Sequence, residues 1–364
     1  MKEAAPFAEI GLVRRGYSAT GGAEAYLLRL ASGLHARGYR PTLYSTGDWP
    51  AERWPFGPLV RLEARQPFEF ARAFQQARRA GQIVLSLDRV PGCDVFRAGD
   101  GVHAAWLQRR SRFESVWRRS FRFLNLKHAA LLGLEREIFK TARAAIANSR
   151  MVAEEIFHWH GFPKEKIHVV PNGIGLSVPR VSRREARQRL GISERSFCIL
   201  FVGTGWERKG LRFAIEAVES LGGEVSLLVA GRGNVNHYRS ACTRFLGAVA
   251  DLPSLFSAAD VFTLPTIYDP FSNACLEATA AGLPVVTTTA NGFSEILTPG
   301  VHGDIVEPGD VVALARALEA WKSRDLEKTA GACRLLAESY SIERNVQATL
   351  DILKTLTPTE EKRL

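Results

Sequence analysis

Residues 201–218, FVGTGWERKGLRFAIEAV, run from an apolar strand through two glycines into a Trp-Glu-Arg-Lys-Gly cluster and then into a helical pattern. Two cations, Arg208 and Lys209, at a strand-to-helix turn point to an anion. Gly203, Gly205 and Gly210 read G-x-G-x4-G, which differs from the G-x-G-x-x-G dinucleotide fingerprint. Gly205 and Gly210 have P-loop spacing, but Leu211 and Arg212 stand where Lys and Ser or Thr are required. The turn therefore belongs to a strand–helix unit that meets its anion by neither common nucleotide motif.

The same rhythm extends in both directions. Upstream lie AEIGLV (8–13) followed by a helical pattern over 23–37, PTLYS (41–45), QIVLSL (82–87), AAIANS (144–149) followed by a helical pattern over 151–160, and IHVVPNG (167–173). Downstream lie CILFVG (198–203), VSLLVAG (225–231), DVFTLPT (260–266) and PVVTTT (284–289), each leading into helix-like sequence. Short apolar strands alternating with helices specify parallel sheets covered on both faces. PNGIGLSVPRVSRRE (171–185) interrupts the alternation. The expected architecture is α/β, with two Rossmann-like domains and an interdomain cleft. The expected divisions are a first domain over 1–172, a second over 173–340, and a helix and tail over 341–364 that cross back to the first domain.

Composition narrows the class. The 364 residues are 46% hydrophobic and 24% charged, as in ordinary globular proteins. The five cysteines are scattered and never spaced C-x-x-C, which argues for a reducing compartment and against structural zinc. The start, MKEAAPFAEIGLVRRG, lacks the basic and apolar regions of a signal peptide, and no stretch has spanning length, so a cytoplasmic location is expected. Residues 1–180 hold 28 Lys+Arg against 16 Asp+Glu, whereas residues 181–364 hold 20 against 22. A basic half suits nucleic acid, an anionic membrane or a phosphorylated substrate. Without an RNA-binding signature or zinc-finger spacing, nucleic acid is not expected as a partner.

Ligands of open parallel sheets bind beyond the carboxyl ends of the strands. Four such loops stand out: RRGYSATGGAEAY (14–26), FRAGDGVHAAW (96–106), the quoted turn, and LPTIYDPFSNACLEATAAGLPVV (264–286). In the last, Asp269 and Glu277 flank a helix start near Ser272 or Asn273, so both carboxylates would face the cleft. Helix capping and dipole complementation is the plain alternative for this pair. A solvated turn is the plain alternative for Arg208 and Lys209. Gly231-Arg232-Gly233 is a lone G-x-G, and His158 and His160 in FHWHGF read as surface residues without metal partners.

With Gly21-Gly22, VVPNG (169–173), FVGTGWERKG (201–210), FLGAVADLPSLFSAADVFTLPT (245–266) and DPFSNACLEATAAGLPVV (269–286) taken together, nearly the whole chain resembles the family 4 retaining glycosyltransferases of GT-B fold. Within them it is most similar to bacterial lipopolysaccharide core glucosyltransferases, which use UDP-glucose and an inner-core heptose. The resemblance implies that Arg208 and Lys209 bind the donor diphosphate, that Glu277 holds the ribose hydroxyls, and that Asp269 stands near the donor sugar. Asp269 replaces the usual first glutamate of the E-x7-E motif and is one methylene shorter. Gly21 and Gly22 match the loop whose backbone amides approach phosphate and sugar. Phe271, Ser272 and Asn273 fall in the donor loop, while Asp100 stands where many relatives have a histidine, and His103, three residues on, is a further substrate-binding candidate. No D-x-D occurs in the sequence, so the two cations would replace a metal at the leaving diphosphate and no cofactor is expected.

Residues 104–128, AAWLQRRSRFESVWRRSFRFLNLKH, hold seven Lys or Arg and one Glu. Drawn as one helix, the segment gathers Trp106, Phe113, Trp117, Phe121 and Leu124 on one face, with Arg112, Arg118, Arg119 and Arg122 opposite; Arg109 and Arg110 add charge. This is a membrane-surface pattern, and an aromatic face packed into the domain is its alternative. The activity the resemblance implies is transfer of a hexose, glucose in the family's pattern, from a UDP-sugar to a lipopolysaccharide core or lipid-linked saccharide at an anionic inner-membrane surface on the cytoplasmic face. A UDP-sugar epimerase of the same fold and a silent sugar-nucleotide-binding membrane protein are the alternatives.

Overall fold

A computed structural model describes residues 9–19, 21–114, 126–175, 181–238 and 240–356. The chain divides into two compact units, Met1–Gly173 with Ile342–Leu364, and Ile174–Ser341. The strands are β1 (Ile10–Val13), β2 (Thr42–Thr46), β3 (Leu59–Leu62), β4 (Ile83–Ser86), β5 (Val95–Arg97), β6 (Ala144–Ala147), β7 (Ile167–Val169), β8 (Phe197–Val202), β9 (Val225–Ala230), β10 (Thr243–Gly247), β11 (Val261–Leu264), β12 (Val285–Thr288) and β13 (Gly303–Val306).

In the first unit a parallel seven-stranded sheet runs β3-β2-β1-β4-β5-β6-β7. Its order reverses between β1 and β4, where loops diverge to opposite faces and open a crevice at the strand ends. The central strands IGLV and IVLS are buried along their whole length, as helices on both faces require. The core joins Leu12, Leu27, Leu30, Leu85 and Ile146 to Val346, Leu350 and Leu353 of the helix Ile342–Thr355. That returning helix lies against the helix Gly22–Ala36. The Tyr26 hydroxyl donates to Asn345 Oδ1 at 2.8 Å, and Asn345 Nδ2 donates to the Pro171 carbonyl at 2.6 Å.

In the second unit a parallel six-stranded sheet runs β10-β9-β8-β11-β12-β13, with its reversal between β8 and β11. The helix Leu211–Glu219 buries Leu211, Ala214, Ile215 and Val218 at the i, i+3, i+4, i+7 spacing of a core-facing stripe. At the opposite edge of the sheet the fully buried Arg187 donates to Asp260 at 2.7 Å and to the carbonyls of Ala258, Ser193, Glu194 and Ser196. Asp260 also accepts from the Cys198 N–H at 2.8 Å. The buried charges are thus fully partnered, and they fix the start of β8 beside that of β11.

The single helix drawn over residues 104–128 is corrected. The helix His103–Ser111 ends in a turn at Arg112 and Phe113, and the next described helix is Leu126–Thr141. The Ser111 hydroxyl donates to the Gln108 carbonyl at 2.6 Å, and the Arg112 and Phe113 N–H groups turn to the carbonyls of Arg109 and Arg110 three residues back, which ends the α-helical ladder. Trp117, Arg118, Arg119, Phe121, Arg122 and Leu124 lie outside the described residues.

Replacing the fully buried Leu353 by alanine should cost about 2–5 kcal/mol, because the surrounding side chains close only part of the cavity. Leu335, mostly exposed, is the control, and its alanine variant should stay within about 0.5 kcal/mol of wild type. Urea unfolding of the two variants checks the difference; equal midpoints would show that the returning helix does not stabilise the first unit.

Candidate active site

In the second unit the loops after β8 and β11 meet at the sheet's reversal. Gly210 has φ +73°, and a Cβ there would lie 1.9 Å from the Pro265 carbonyl oxygen. Gly231, φ +128°, approaches the Gly203 carbonyl as closely. Side chains at either position would force the loops apart. The Arg208 carbonyl accepts from Thr266 Oγ1 at 2.8 Å and from the Ile267 N–H at 2.9 Å, while Arg208 Nη1 donates to the Tyr268 carbonyl at 3.1 Å. Lys209 Nζ donates to Asp269 Oδ2 at 2.9 Å, and Arg208 Nη1 stands 4.0 Å from the same oxygen. Asp269 is only 5% exposed. Burial alone would push its carboxyl up; Lys209, Arg208, the Lys209 hydrogen bond and the Phe271 N–H together hold it below the ordinary carboxylate range.

The helix Asn273–Ala281 begins at Ser272, whose hydroxyl accepts from the Cys275 N–H at 3.3 Å, and closes at Gly282 with φ +96°. Glu277 is half-buried on its second turn, Asn273 is half-buried at its start, and Phe271 packs edge-on against Phe293 with ring centres 5.6 Å apart. Asn291, which sequence inspection missed, braces this turn. Its side-chain oxygen accepts from the Ser272 and Phe293 N–H groups, and its amide donates to Thr287 Oγ1 at 2.9 Å. The Asn-Gly pair after the PVVTTT strand is the signal that could have found it.

In the first unit one cation gathers three carboxylates. Arg14, just past β1, lies 3.0 Å from Glu24, 3.4 Å from Asp100 and 3.8 Å from Asp88. Glu24 is in the first turn of the helix that Gly21 caps and Gly22 opens; a Cβ on Gly21 would fall 1.7 Å from Glu24 Oε2. Asp100 follows β5 in a turn, with its side chain half exposed. None of Arg14, Glu24 or Asp88 was singled out from sequence, because a strand-end arginine and two isolated carboxylates have no motif until the fold joins them.

His103 turns inward. Its backbone N–H donates to both oxygens of Glu135 at 2.9 and 3.0 Å, and its ring Nε2 is 3.0 Å from His128 Nδ1. The fully buried Glu135 also accepts from Arg89 Nε at 2.9 Å and lies 3.5 Å from His160 Nε2. Burial and then the Arg89 charge bring the His103 ring down to about 4. The surface assignment of His160 is corrected: its side chain is 8% exposed and stacks on Phe139, drawn in by Glu135, whereas His158 is exposed. Among the basic residues, Arg109 pairs with Glu155 at 2.8 Å, Arg110 pairs with Glu114 at 2.6 Å and lies over the half-buried Trp106, and Arg112 is exposed. Among the described residues no group of three His, Cys, Asp or Glu side chains is placed to hold a metal ion.

Two parallel sheets of Rossmann type, with a cationic glycine loop in the second, are the architecture of the GT-B glycosyltransferase class. Residues 20–178 match the profile described as Glycosyltransferase Family 4, and residues 196–323 match that described as Glycosyl transferases group 1. The chain belongs to the family 4 glycosyltransferases. It is 26% identical to the lipopolysaccharide glucosyltransferase WaaG of Escherichia coli K12 over 319 residues, covering 80% of this chain and 83% of that protein. An uncharacterized glycosyltransferase of Methanocaldococcus jannaschii is 29% identical over 231 residues, covering 57% of this chain and 59% of that one. The crystal structure of WaaG superposes with a TM-score of 0.77 at 22% identity, covering 94% of this chain and 99% of that one. Anabaena HepE in complex with UDP and glucose gives 0.76 at 19%, covering 95% and 99%.

The neutral, buried His103 has a stability consequence of definite sign. Its native pKa lies below the ordinary 6.5, so its contribution is complete above pH 6.5 and is lost as pH falls toward 4, where the unfolded chain takes up a proton that the native ring does not. Thermal melts at pH 7.5 and 5.0 should show a larger drop for wild type than for His103→Gln. Equal drops would mean that the ring is not held neutral.

Proposed function

We propose that the protein is a retaining hexosyltransferase that moves a hexose, with glucose the preferred one, from a UDP-sugar to a lipopolysaccharide core or other lipid-linked saccharide. The observation that carries this proposal is the placing of Arg208 and Lys209 beside the amino end of the helix Asn273–Ala281, with Glu277 on that helix. Negative charge grows on the leaving oxygen as the sugar–phosphate bond breaks, and fixed cations at that point stabilise the transition state more than the ground state. Asp269 holds Lys209 in position, and Glu277 takes the ribose hydroxyls. In the first unit the acceptor is met by loops that include Asp100. The likeness to WaaG supports the acceptor class, and the HepE complexes with UDP and with UDP-glucose support the donor.

The site of action is the inner membrane's cytoplasmic face. None of the described helices is long and apolar enough to cross a membrane. The basic segment provides attachment, with Arg112 exposed beyond the helix His103–Ser111 and Phe157 and Trp159 exposed on the adjoining helix Arg150–His160. Each basic residue near an anionic surface contributes roughly 1 kcal/mol.

Incubation of a panel of UDP-sugars with truncated lipopolysaccharides should release UDP rapidly only when acceptor is present; conversion of the donor without acceptor would identify an epimerase instead. Lys209→Ala should lower kcat on the order of 10²-fold or more, because the charge it offsets develops during the reaction. Glu277→Ala should weaken UDP binding measured by calorimetry as well as turnover, since ribose contacts precede chemistry. Activity should survive excess EDTA. Loss restored by magnesium or manganese would show that the two cations do not act in a metal's place.

A further inference from the structure

We infer that a pocket at the carboxyl ends of β1, β2 and β3 binds an anionic substituent, phosphate or carboxylate, carried by the saccharide acceptor. The inference rests on the transferase assignment proposed above, and it names a subsite on the first unit that is separate from the Arg14 cluster.

The cavity has a volume of 750 Å³, within the range of small-molecule sites, and Arg15, Arg65 and Lys127 contribute to its wall. Arg14 and Arg15 are neighbours with opposite fates. The Arg14 guanidinium is surrounded by Glu24, Asp88 and Asp100. Arg15 gives its backbone N–H to Asp88, at 2.9 Å, and among the described residues its side chain enters no ion pair. Arg65 likewise gives its backbone N–H to Glu69, at 2.9 Å, and leaves its guanidinium exposed on the cavity wall.

Among the described residues one carboxylate, Asp48, lines the cavity, and it is committed to the loop: it accepts from the Tyr17 N–H at 3.1 Å and from the Thr46 hydroxyl. The Thr46 oxygen in turn accepts from the Gly16 N–H at 2.9 Å. The helix Pro67–Ala77 also starts at this cavity, but Gln66 and Glu69 form a capping box across its amino end. Side-chain charge is therefore the binding element, three cations against one occupied carboxylate. Guanidinium and ammonium groups around a concave wall favour phosphate or carboxylate through charge-assisted hydrogen bonds. The donor diphosphate already has Arg208 and Lys209 in the second unit, so the group received here belongs to the acceptor. The cavity and Asp100 stand at the same carboxyl edge of one sheet, beyond β1–β3 and β5 respectively.

The test uses the full chain and a water-soluble, deacylated oligosaccharide from truncated lipopolysaccharide, prepared intact, phosphatase-treated and carboxyl-reduced. Arg65 and Lys127 are exposed, so Arg65→Ser/Lys127→Ser should fold normally, which thermal melts check. Calorimetry without UDP-sugar should show affinity for the intact oligosaccharide reduced by about tenfold or more in the variant, with KM for the acceptor raised alike and KM for the UDP-sugar unchanged. Whichever treatment of the oligosaccharide removes the difference between wild type and variant identifies the anion. Equal affinity of wild type and variant, absence of binding by either, or a loss seen only on anionic vesicles would overturn the inference, the last by making a lipid headgroup the ligand. Charge-dependent binding without sugar transfer would leave the pocket standing and remove the transferase assignment. Transfer by a variant indistinguishable from wild type would do the reverse.

Discussion

A salt bridge spans the reversal point of each sheet, and the geometry of both candidate sites depends on it. In the second unit Lys209, after β8, reaches Asp269, after β11. In the first, Arg14, after β1, faces Asp88, after β4. Parallel strands bring these loops side by side with no hydrogen-bond ladder to join them beyond the strand ends. The pair of opposite charges adds to the few hydrogen bonds that join the loops there, from the Ile267 N–H to the Arg208 carbonyl in the second unit and from the Leu87 N–H to the Val13 carbonyl in the first. Removing Asp269 would take away the carboxylate that Lys209 and Arg208 share and leave two like charges side by side.

The shared topology carries different charge in the two units. At the second unit's reversal two cations face one carboxylate, leaving positive charge for an incoming anion. At the first, three carboxylates surround one arginine, an arrangement suited to sugar hydroxyls rather than phosphate. The excess positive charge of the first half of the chain is borne elsewhere, at Arg15, Arg65 and Lys127 on the cavity wall and at Arg112 beyond the helix end.

Central strands were legible because complete burial leaves an unbroken apolar run: IGLV, IVLS and CILFV could not be solvated segments. The strands β3, β10 and β13, which are sheet edges, and the three-residue β5 were not found. LVRL, TRFLG and GDIV are half-exposed and hold polar residues or glycine, and their pairing comes from a neighbour rather than their own pattern. The second-unit loop was readable because its cations, glycines and acidic pair are close in sequence. Glu135 with His103, His128 and His160, and Arg14 with its three carboxylates, join residues far apart in the chain. Only the fold creates those groups.

The return of the helix Ile342–Thr355 to the first unit bears on how the chain is made. Residues 174–341 form the second unit from one continuous stretch, so it can complete its sheet as soon as it leaves the ribosome. The first unit cannot: Val346, Leu350 and Leu353 belong to its core, and Asn345 holds Tyr26 and Pro171. During synthesis the apolar ground beside the helix Gly22–Ala36 stays uncovered while the whole second unit is translated. The long-range closure comes last, and until then the nascent chain exposes a surface on which chaperones or other nascent chains can settle.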